Sequence, residues 1–374
     1  MKKLFLCLSV VLLAQMLLLL AGCERRQLEV IVSETVRVKI TVKWKVNFIP
    51  LYHHTPNGMT VMIWDAAGGA PIVRTTNDDH ITVSLKPATY HMIVFNELAD
   101  DYAPFMHFVD ADSYERIAMR ATTFTVASTR AWDDGITYMH TPEDPRIAVA
   151  LDTFEVTKEM VLRDTTILIP YDEYQEGGYA DYRESEYVYS IDETPWPMSV
   201  DLFVKMRVKH RQSLKAVNGS ISGLADGFYL SQIIRTSETG IIRFNPDDWE
   251  RSKLGDDADS MGIVSTRIAT FGLPYGKELL DNRVPSDNVL SLALQLTNDS
   301  VVYANFQVGK CIHYITPEGL EAQIRYRQDL QNLQLIINLP DTIFLPPLSP
   351  ASGTGFDAKV DDWEDGGTWD IGGF

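Results

Sequence analysis

Val36-Arg37-Val38-Lys39-Ile40-Thr41-Val42-Lys43-Trp44-Lys45-Val46-Asn47-Phe48 alternates apolar and polar residues along its whole length. Successive side chains of an extended chain point to opposite faces, so a period of two predicts one long half-buried strand. Its apolar face is Val36, Val38, Ile40, Val42, Trp44, Val46 and Phe48. Arg37, Lys39, Lys43 and Lys45 on the other face read as a solvated surface, with a platform for a partner as the alternative.

The pattern continues outward from there. Residues 58–64, 80–85 and 90–96 are short runs of β-branched, aromatic and other apolar residues. They are separated by Gly68-Gly69-Ala70-Pro71, Asn77-Asp78-Asp79 and Pro87-Ala88, all turn chemistry. Ser113 to Met119 is predicted as a short helix, and Ile147 to Val156 and Val161 to Ile169 as closing strands. Residues 171–197 change character: six tyrosines are interspersed with acids and Gly-Gly, and Pro195-Trp196-Pro197 closes the stretch. This reads as a linker or a long ordered loop whose tyrosines pack onto their own domain. A second alternation begins with Val200, Leu202, Val204, Met206 and Val208, and strands are predicted again near 263–271, 289–296, 301–308 and 333–339. Residues 219–230 read as closely spaced turns. The expected architecture is therefore all-β, with two β-sandwich domains in tandem at 23–170 and 198–345. A Pro-rich, Gly-rich and acidic tail follows at 346–374, either disordered or adding a strand to a sheet edge.

The N-terminus carries a second signal. Met1-Lys2-Lys3 precedes an apolar run from Leu4 that ends in Leu20-Ala21-Gly22-Cys23. A basic start, an apolar centre and small residues before a cut site define a secretory signal peptide over 1–22. Leu20, Ala21 and Gly22 before Cys23 resemble the lipobox of bacterial lipoproteins. That resemblance implies cleavage before Cys23, a diacylglycerol on its thiol and an acyl chain such as palmitate on its amine. Each buried CH2 contributes about 0.8 kcal/mol, so two or more chains anchor stably. The alternative is an uncleaved membrane anchor, since Leu4 to Ala21 is close to the spanning minimum of about 18 residues. Either way residues 24–374 lie outside the cytoplasm.

Formal net charge is −18 at pH 7. Such a surface disfavours nucleic acid and anionic membrane faces. Once Cys7 leaves with the signal peptide and Cys23 is lipidated, Cys311 stands alone, so no intramolecular disulfide is expected. Cys311 lies in a strand-like run and reads as a core residue rather than a reactive thiol.

No catalytic constellation emerges. His53 and His54 are adjacent, hence on opposite faces of a strand. There is no CxxC, GxSxG, GxGxxG or P-loop. Gly255-Asp256-Asp257-Ala258-Asp259-Ser260 has oxygen ligands at short spacing but lacks the glycine and the distal Glu of an EF-hand loop, so it reads as a solvated turn. No enzyme, metal or cofactor is expected.

Leu85-Lys86-Pro87-Ala88-Thr89-Tyr90-His91-Met92-Ile93-Val94-Phe95-Asn96, together with the lipobox and the long first strand, resembles the fimbrillin-like lipoproteins of type V pili. The stretch Gly355-Phe356-Asp357-Ala358-Lys359-Val360-Asp361-Asp362-Trp363 is similar to the ends of such chains. Within that family the likeness is nearest to the FimB/Mfa-type anchor-like lipoproteins. The resemblance implies two transthyretin-like sandwiches, attachment to the outer membrane at the cell surface, and pilus subunits as partners through strand addition. Shaft subunits of that family lose their lipid by cleavage after an arginine beyond the first strand. Here Arg37 lies inside the predicted strand, and a cut at Arg25 or Arg26 removes little of it, so an anchor or accessory role is expected instead. Capture of a glycan or peptide at the surface is the second reading.

Overall fold

A computed structural model describes residues 30–31, 34–42, 58–96, 104–127, 135–141, 148–163, 166–167, 186–191, 196–244, 249–253, 261–316, 319–324 and 333–347. The strands that carry the argument, in chain order, are β1 (Val36–Val42), β2 (Met59–Asp65), β3 (Ile72–Thr76), β4 (His80–Leu85), β5 (Ala88–Asn96), β6 (Met106–Val109), β7 (Ala118–Ala121), β8 (Ala148–Val156), β9 (Trp196–Pro197) and β10 (Val200–Lys209). After these come β11 (Leu214–Ala225), β12 (Gly227–Tyr229), β13 (Ile234–Arg235), β14 (Thr239–Phe244), β15 (Trp249–Lys253), β16 (Gly262–Thr270), β17 (Val289–Leu296), β18 (Val301–Gln307), β19 (Ile312–Ile315) and β20 (Gln334–Phe344). The protein is all-β, as its alternation predicts.

The chain divides into two units. The first comprises residues 1–39, 82–88 and 155–188. It contains most of a three-stranded sheet in which β1 runs between the Glu186–Ile191 strand and β4. The apolar residues of β1 are buried at every second position, which is the face read from its alternation. Residues 43–48 of that run lie outside the described residues. Val161 to Ile169, expected as a strand, is instead a one-and-a-half-turn helix at Lys158–Arg163 followed by a two-residue strand at Thr166–Ile167. Thr157 opens the helix, its Oγ1 accepting from the Met160 amide at 3.4 Å, and Glu159 sits in the first turn.

The second unit comprises residues 40–81, 89–154 and 189–374. One of its sheets has the order β9-β8-β5-β2-β3. A second has the order β13-β12-β7-β6, so strands from either side of residues 171–197 share one ladder. Ser113 to Met119 is not a helix: Asp110 takes a left-handed φ of 52°, one turn closes at Ser113, and β7 begins at Ala118. The turn is held by tertiary contacts that local propensity does not encode. Tyr114 stacks on His91 at 4.5 Å and meets Trp64 edge-on at 5.7 Å, while Trp64 Nε1 donates to the Ala111 carbonyl at 3.1 Å.

Two further sheets form the C-terminal half, β15-β16-β10-β20-β19 and β14-β11-β17-β18. Their inward residues belong to one buried cluster that includes Leu202, Val204, Leu292, Leu294, Phe306, Leu335 and Ile337. β20 pairs parallel to β10, with Leu202 opposite Leu335 and Val204 opposite Ile337, and antiparallel to β19. Residues 219–225, read as turns, are in fact the second half of the long strand β11. Gly219 fits because a Cβ there would lie 3.0 Å from both a Leu292 methyl and the Ser291 carbonyl oxygen. Gly223, at φ +78°, sits where the register against β14 shifts, and a Cβ there would lie 1.9 Å from the Asp287 carbonyl oxygen.

Ile337 is fully buried on the central parallel strand. Ile337→Ala is expected to destabilise the fold by about 2–5 kcal/mol and Ile337→Val by about 0.5–1.5 kcal/mol, read as a graded fall in the denaturant midpoint. Equal effects from both would show that β20 does not pack as a core strand.

Candidate functional site: an anchored apolar loop and an open sheet edge

Leu20, Ala21, Gly22 and Cys23 lie outside the described residues, as do His53-His54, the tyrosines at 171–182, the acidic turn at 255–260 and the tail from 348 onward. Cys311 is described and is half-buried. Burial pushes its thiol pKa up despite the neighbouring Arg283, so it is held as the thiol and not as a reactive thiolate. Among the described residues no group of three or more His, Cys, Asp or Glu side chains is arranged to hold a metal.

The most distinctive surface is the loop joining β16 to β17, residues 271–288. Its side chains sort into two sets. Tyr275, Leu279, Leu280 and Val284 face solvent, with Tyr275 54% and Val284 51% exposed. Arg283 and Asn288 are buried and tie the loop down. Arg283 Nη1 donates to the carbonyls of Gly309 at 2.9 Å and Ile312 at 2.7 Å. Asn288 Nδ2 donates to the carbonyls of Ser222 at 3.1 Å and Gly223 at 2.9 Å. Lys310 Nζ donates to the Leu280 carbonyl at 2.8 Å, and the Tyr275 amide donates to Thr236 O at 3.1 Å.

Asp287 organises the tip. Its Oδ2 accepts from the Val284 amide at 2.8 Å and from Lys277 Nζ at 2.9 Å. Burial opposes ionisation, but these two donors outweigh it and hold the carboxyl below its ordinary range. Beneath the loop, burial lowers the Arg283 guanidinium below its ordinary value and pushes the Tyr314 hydroxyl up to about 12, so that hydroxyl stays neutral at physiological pH. The arrangement contains no nucleophile paired with a base. It presents four apolar side chains on a preorganised backbone, which suits docking: rigidity lowers the ordering cost of binding, and anchors of this kind carry interface energy.

A second feature is β18. Among the described residues it is the longest edge strand, and Val301-Val302-Tyr303-Ala304-Asn305-Phe306-Gln307 carries no charge. The other edges of the C-terminal sheets are blunted. β15 holds Glu250, Arg251 and Lys253, β14 holds Arg243, and β19 is four residues long and meets a bridge from Ile315 to Glu321. Natural sheets use such devices to stop edge-to-edge pairing, and β18 has none.

Sequence reading did not single out the loop. Its apolar residues follow no period, and its rigidity depends on carbonyls of residues far away in the chain.

Comparison with solved structures finds the same all-β scaffold in another protein. A candidate adhesin from Bacteroides ovatus shares the fold at 16% identity and a TM-score of 0.51, over 88% of this chain and 98% of that one. A candidate adhesin from Bacteroides thetaiotaomicron aligns at 10% identity and 0.41, over 74% and 81%. The fimbrial anchor protein Mfa2 from Porphyromonas gingivalis aligns at 8% identity and 0.40, over 74% and 83%. At those scores the last two add nothing to the fold argument. No curated protein matches the chain. Residues 22–245 match the family described as Domain of unknown function (DUF5119), and the chain belongs to that family.

One variant and one change of pH test how the loop is held. Arg283→Ala removes the hydrogen bonds to the Gly309 and Ile312 carbonyls and is expected to cost about 2–4 kcal/mol, with faster amide exchange in 276–288. Lowering the pH acts through Asp287. Its folded pKa lies below the unfolded value near 3.9, so its contribution is complete above about pH 4 and is lost as pH falls through the folded value. Protection factors in 284–288, corrected for the intrinsic pH dependence of exchange, should therefore be flat from neutral pH down to about 4 and fall below it. A fall already at pH 5 to 6 would remove Asp287 from this role.

Proposed function

We propose that this protein is a non-catalytic cell-surface subunit, lipid-anchored through Cys23, that serves a pilus as an accessory or adhesion-related component. The observation that carries this reading is the fold shared with a candidate adhesin over 88% of the chain. The Leu20-Ala21-Gly22-Cys23 motif supports membrane attachment by lipid. The tandem-sandwich arrangement expected at 23–170 and 198–345 accompanies the same reading.

In this role the partner is another pilus subunit. The open edge of β18 supports strand addition, in which main-chain hydrogen bonds supply affinity and alternate side chains fix register. The loop at 271–288 supports a second contact, with Tyr275 and Leu280 as its anchors.

The experiment is mass spectrometry of surface fibres isolated from native cells without and with detergent. An intact, Cys23-lipidated chain at low stoichiometry with the fibres is the expected result. Cys23→Ser should release the protein from the membrane fraction. Tyr275→Asp combined with Leu280→Asp should leave it membrane-bound but free of fibres. Recovery of the wild-type chain only as free lipoprotein, with no fibre subunit attached, would overturn the pilus role.

A further inference from the structure

The register of β17 and β18 decides which way each main-chain group of the edge strand points. The Leu296 amide donates to Ser300 O at 2.8 Å, and the Val308 amide to Asn288 O at 2.8 Å. Both pairs continue the register that sets Leu294 opposite Val302 and Leu290 opposite Phe306. In an antiparallel ladder, bonded and unbonded pairs alternate. Val302, Ala304 and Phe306 therefore bond to β17. Val301, Tyr303, Asn305 and Gln307 turn their N–H and C=O groups to the open side, where none meets a partner among the described residues. The side chains alternate as well: Ala304 and Phe306 are buried, while Val301, Tyr303 and Asn305 are exposed.

The chain's own tail starts beside this edge. Ser213 Oγ donates to Pro346 O at 2.7 Å, and Ser213 O accepts from the Thr297 amide at 2.8 Å. One residue thus bridges the exit of the tail and the turn that leads into Val301. Residues 348–355 follow and reach at most roughly 28 Å, while β18 is about 24 Å long. The whole edge is within range. Next comes Phe356-Asp357-Ala358-Lys359-Val360-Asp361-Asp362, in which Phe356, Ala358 and Val360 alternate with Asp357, Lys359 and Asp361. A strand of that pattern beside β18 sets three apolar residues on the side of Val302, Ala304 and Phe306, and its charges on the side of Val301, Tyr303 and Asn305. β18 opposes no carboxylate to those aspartates, whereas the edge strand β15 carries Glu250.

We propose that residues 356–362 pair with β18 of their own chain and cap its open edge. β18 has no charge and no register shift against β17 to protect it, and cover by another segment is the device that remains. The short connection from Pro347 holds the segment at an effective concentration on the order of millimolar, so a strand arriving from elsewhere competes at a disadvantage. The capping deepens the strand-addition reading of β18, because an incoming pilus strand has first to displace the tail. That displacement rests on the pilus reading; the capping itself does not.

The test is hydrogen exchange of the full chain in detergent micelles, read residue by residue. The amides of Val301, Tyr303, Asn305 and Gln307 are expected to be protected. In the full-length double variant Ala358→Asp with Val360→Asp, which charges the apolar face of the tail, those four amides should exchange faster by about tenfold or more. The amides of Val302, Ala304 and Phe306 bond to β17 and should be unchanged, which reports an intact fold. Exchange of the four outward amides at the intrinsic rate in the wild type, or protection that the double variant leaves in place, overturns the proposal. So does protection that fades as the protein is diluted, because the occupant is then a second copy. The fibre experiment can fail with the edge still capped, and a bare edge leaves the fibre result untouched, so the two failures are distinguishable.

Discussion

The parallel ladder between β10 and β20 is the constraint on which the C-terminal half rests. Two segments far apart in sequence, Val200–Lys209 and Gln334–Phe344, lie side by side at the centre of a five-stranded sheet. Both are buried through their apolar residues: Leu202, Val204, Leu335 and Ile337 are all fully covered. The ladder is locked at its end, where the Leu345 amide donates to Lys209 O at 3.2 Å and Ser213 Oγ donates to Pro346 O at 2.7 Å. Closing so long a loop costs entropy before any contact is made, and the cost is recovered only by burial along the whole strand. The consequences reach the surface. β16 pairs with β10, β17 pairs with β11, and the loop at 271–288 is strung between them. Its stiffness is therefore inherited from the ladder.

A polar network performs the equivalent task where strands from the two halves of the sequence meet. Arg120 on β7 reaches Asp226 at 2.9 Å and Glu238 at 3.4 Å, and Thr236 Oγ1 donates to Asp226 Oδ1 at 2.6 Å. The ladder runs alongside, with Gly227 opposite Arg120. Desolvation works against the Arg120 charge, but Asp226 and Glu238 outweigh it and raise its pKa. Such a partly buried pair contributes little net stability, since desolvation offsets the attraction. Its effect is directional: Arg120 meets both carboxylates only in this register, which fixes β7 against β12.

Local rules reached some of this and not the rest. The alternation at 36–42, 59–65, 80–85, 200–209 and 289–296 is visible because each strand buries one face, or nearly both, against a single core. β11 was hidden because Gly219, Ser220, Ser222 and Gly223 are turn formers by propensity. Here Gly219 is required by the crowding of Leu292 and Phe244, and Ser220 lies on the outer face. Ser113 to Met119 misled for the opposite reason: its helical composition yields to Trp64, His91 and Ala111, which are remote in sequence. The lipid motif at Cys23 is readable without any fold, because an enzyme reads it as sequence. The loop at 271–288 is unreadable without one, because Arg283 and Asn288 acquire their meaning from the carbonyls of Gly309, Ile312, Ser222 and Gly223.

Charge distribution ties the candidate surfaces together. A protein at −18 repels anionic polymers and copies of itself over most of its surface. Along β18, which carries no charge, that repulsion weakens. In the 271–288 loop Lys277 pairs with Asp287, while Glu278 and Asp281 keep acidic charge beside the exposed apolar residues. An uncharged edge and an exposed apolar loop are features that a protein selected only for solubility suppresses. Elsewhere in the same two sheets they are suppressed, by charges on β14 and β15 and by the brevity of β19. Both stand on backbone held by remote contacts, the edge by its ladder to β17 and the loop by Arg283 and Asn288. The acidic remainder repels like-charged partners, so electrostatics disfavours acidic surfaces more than neutral ones at these places.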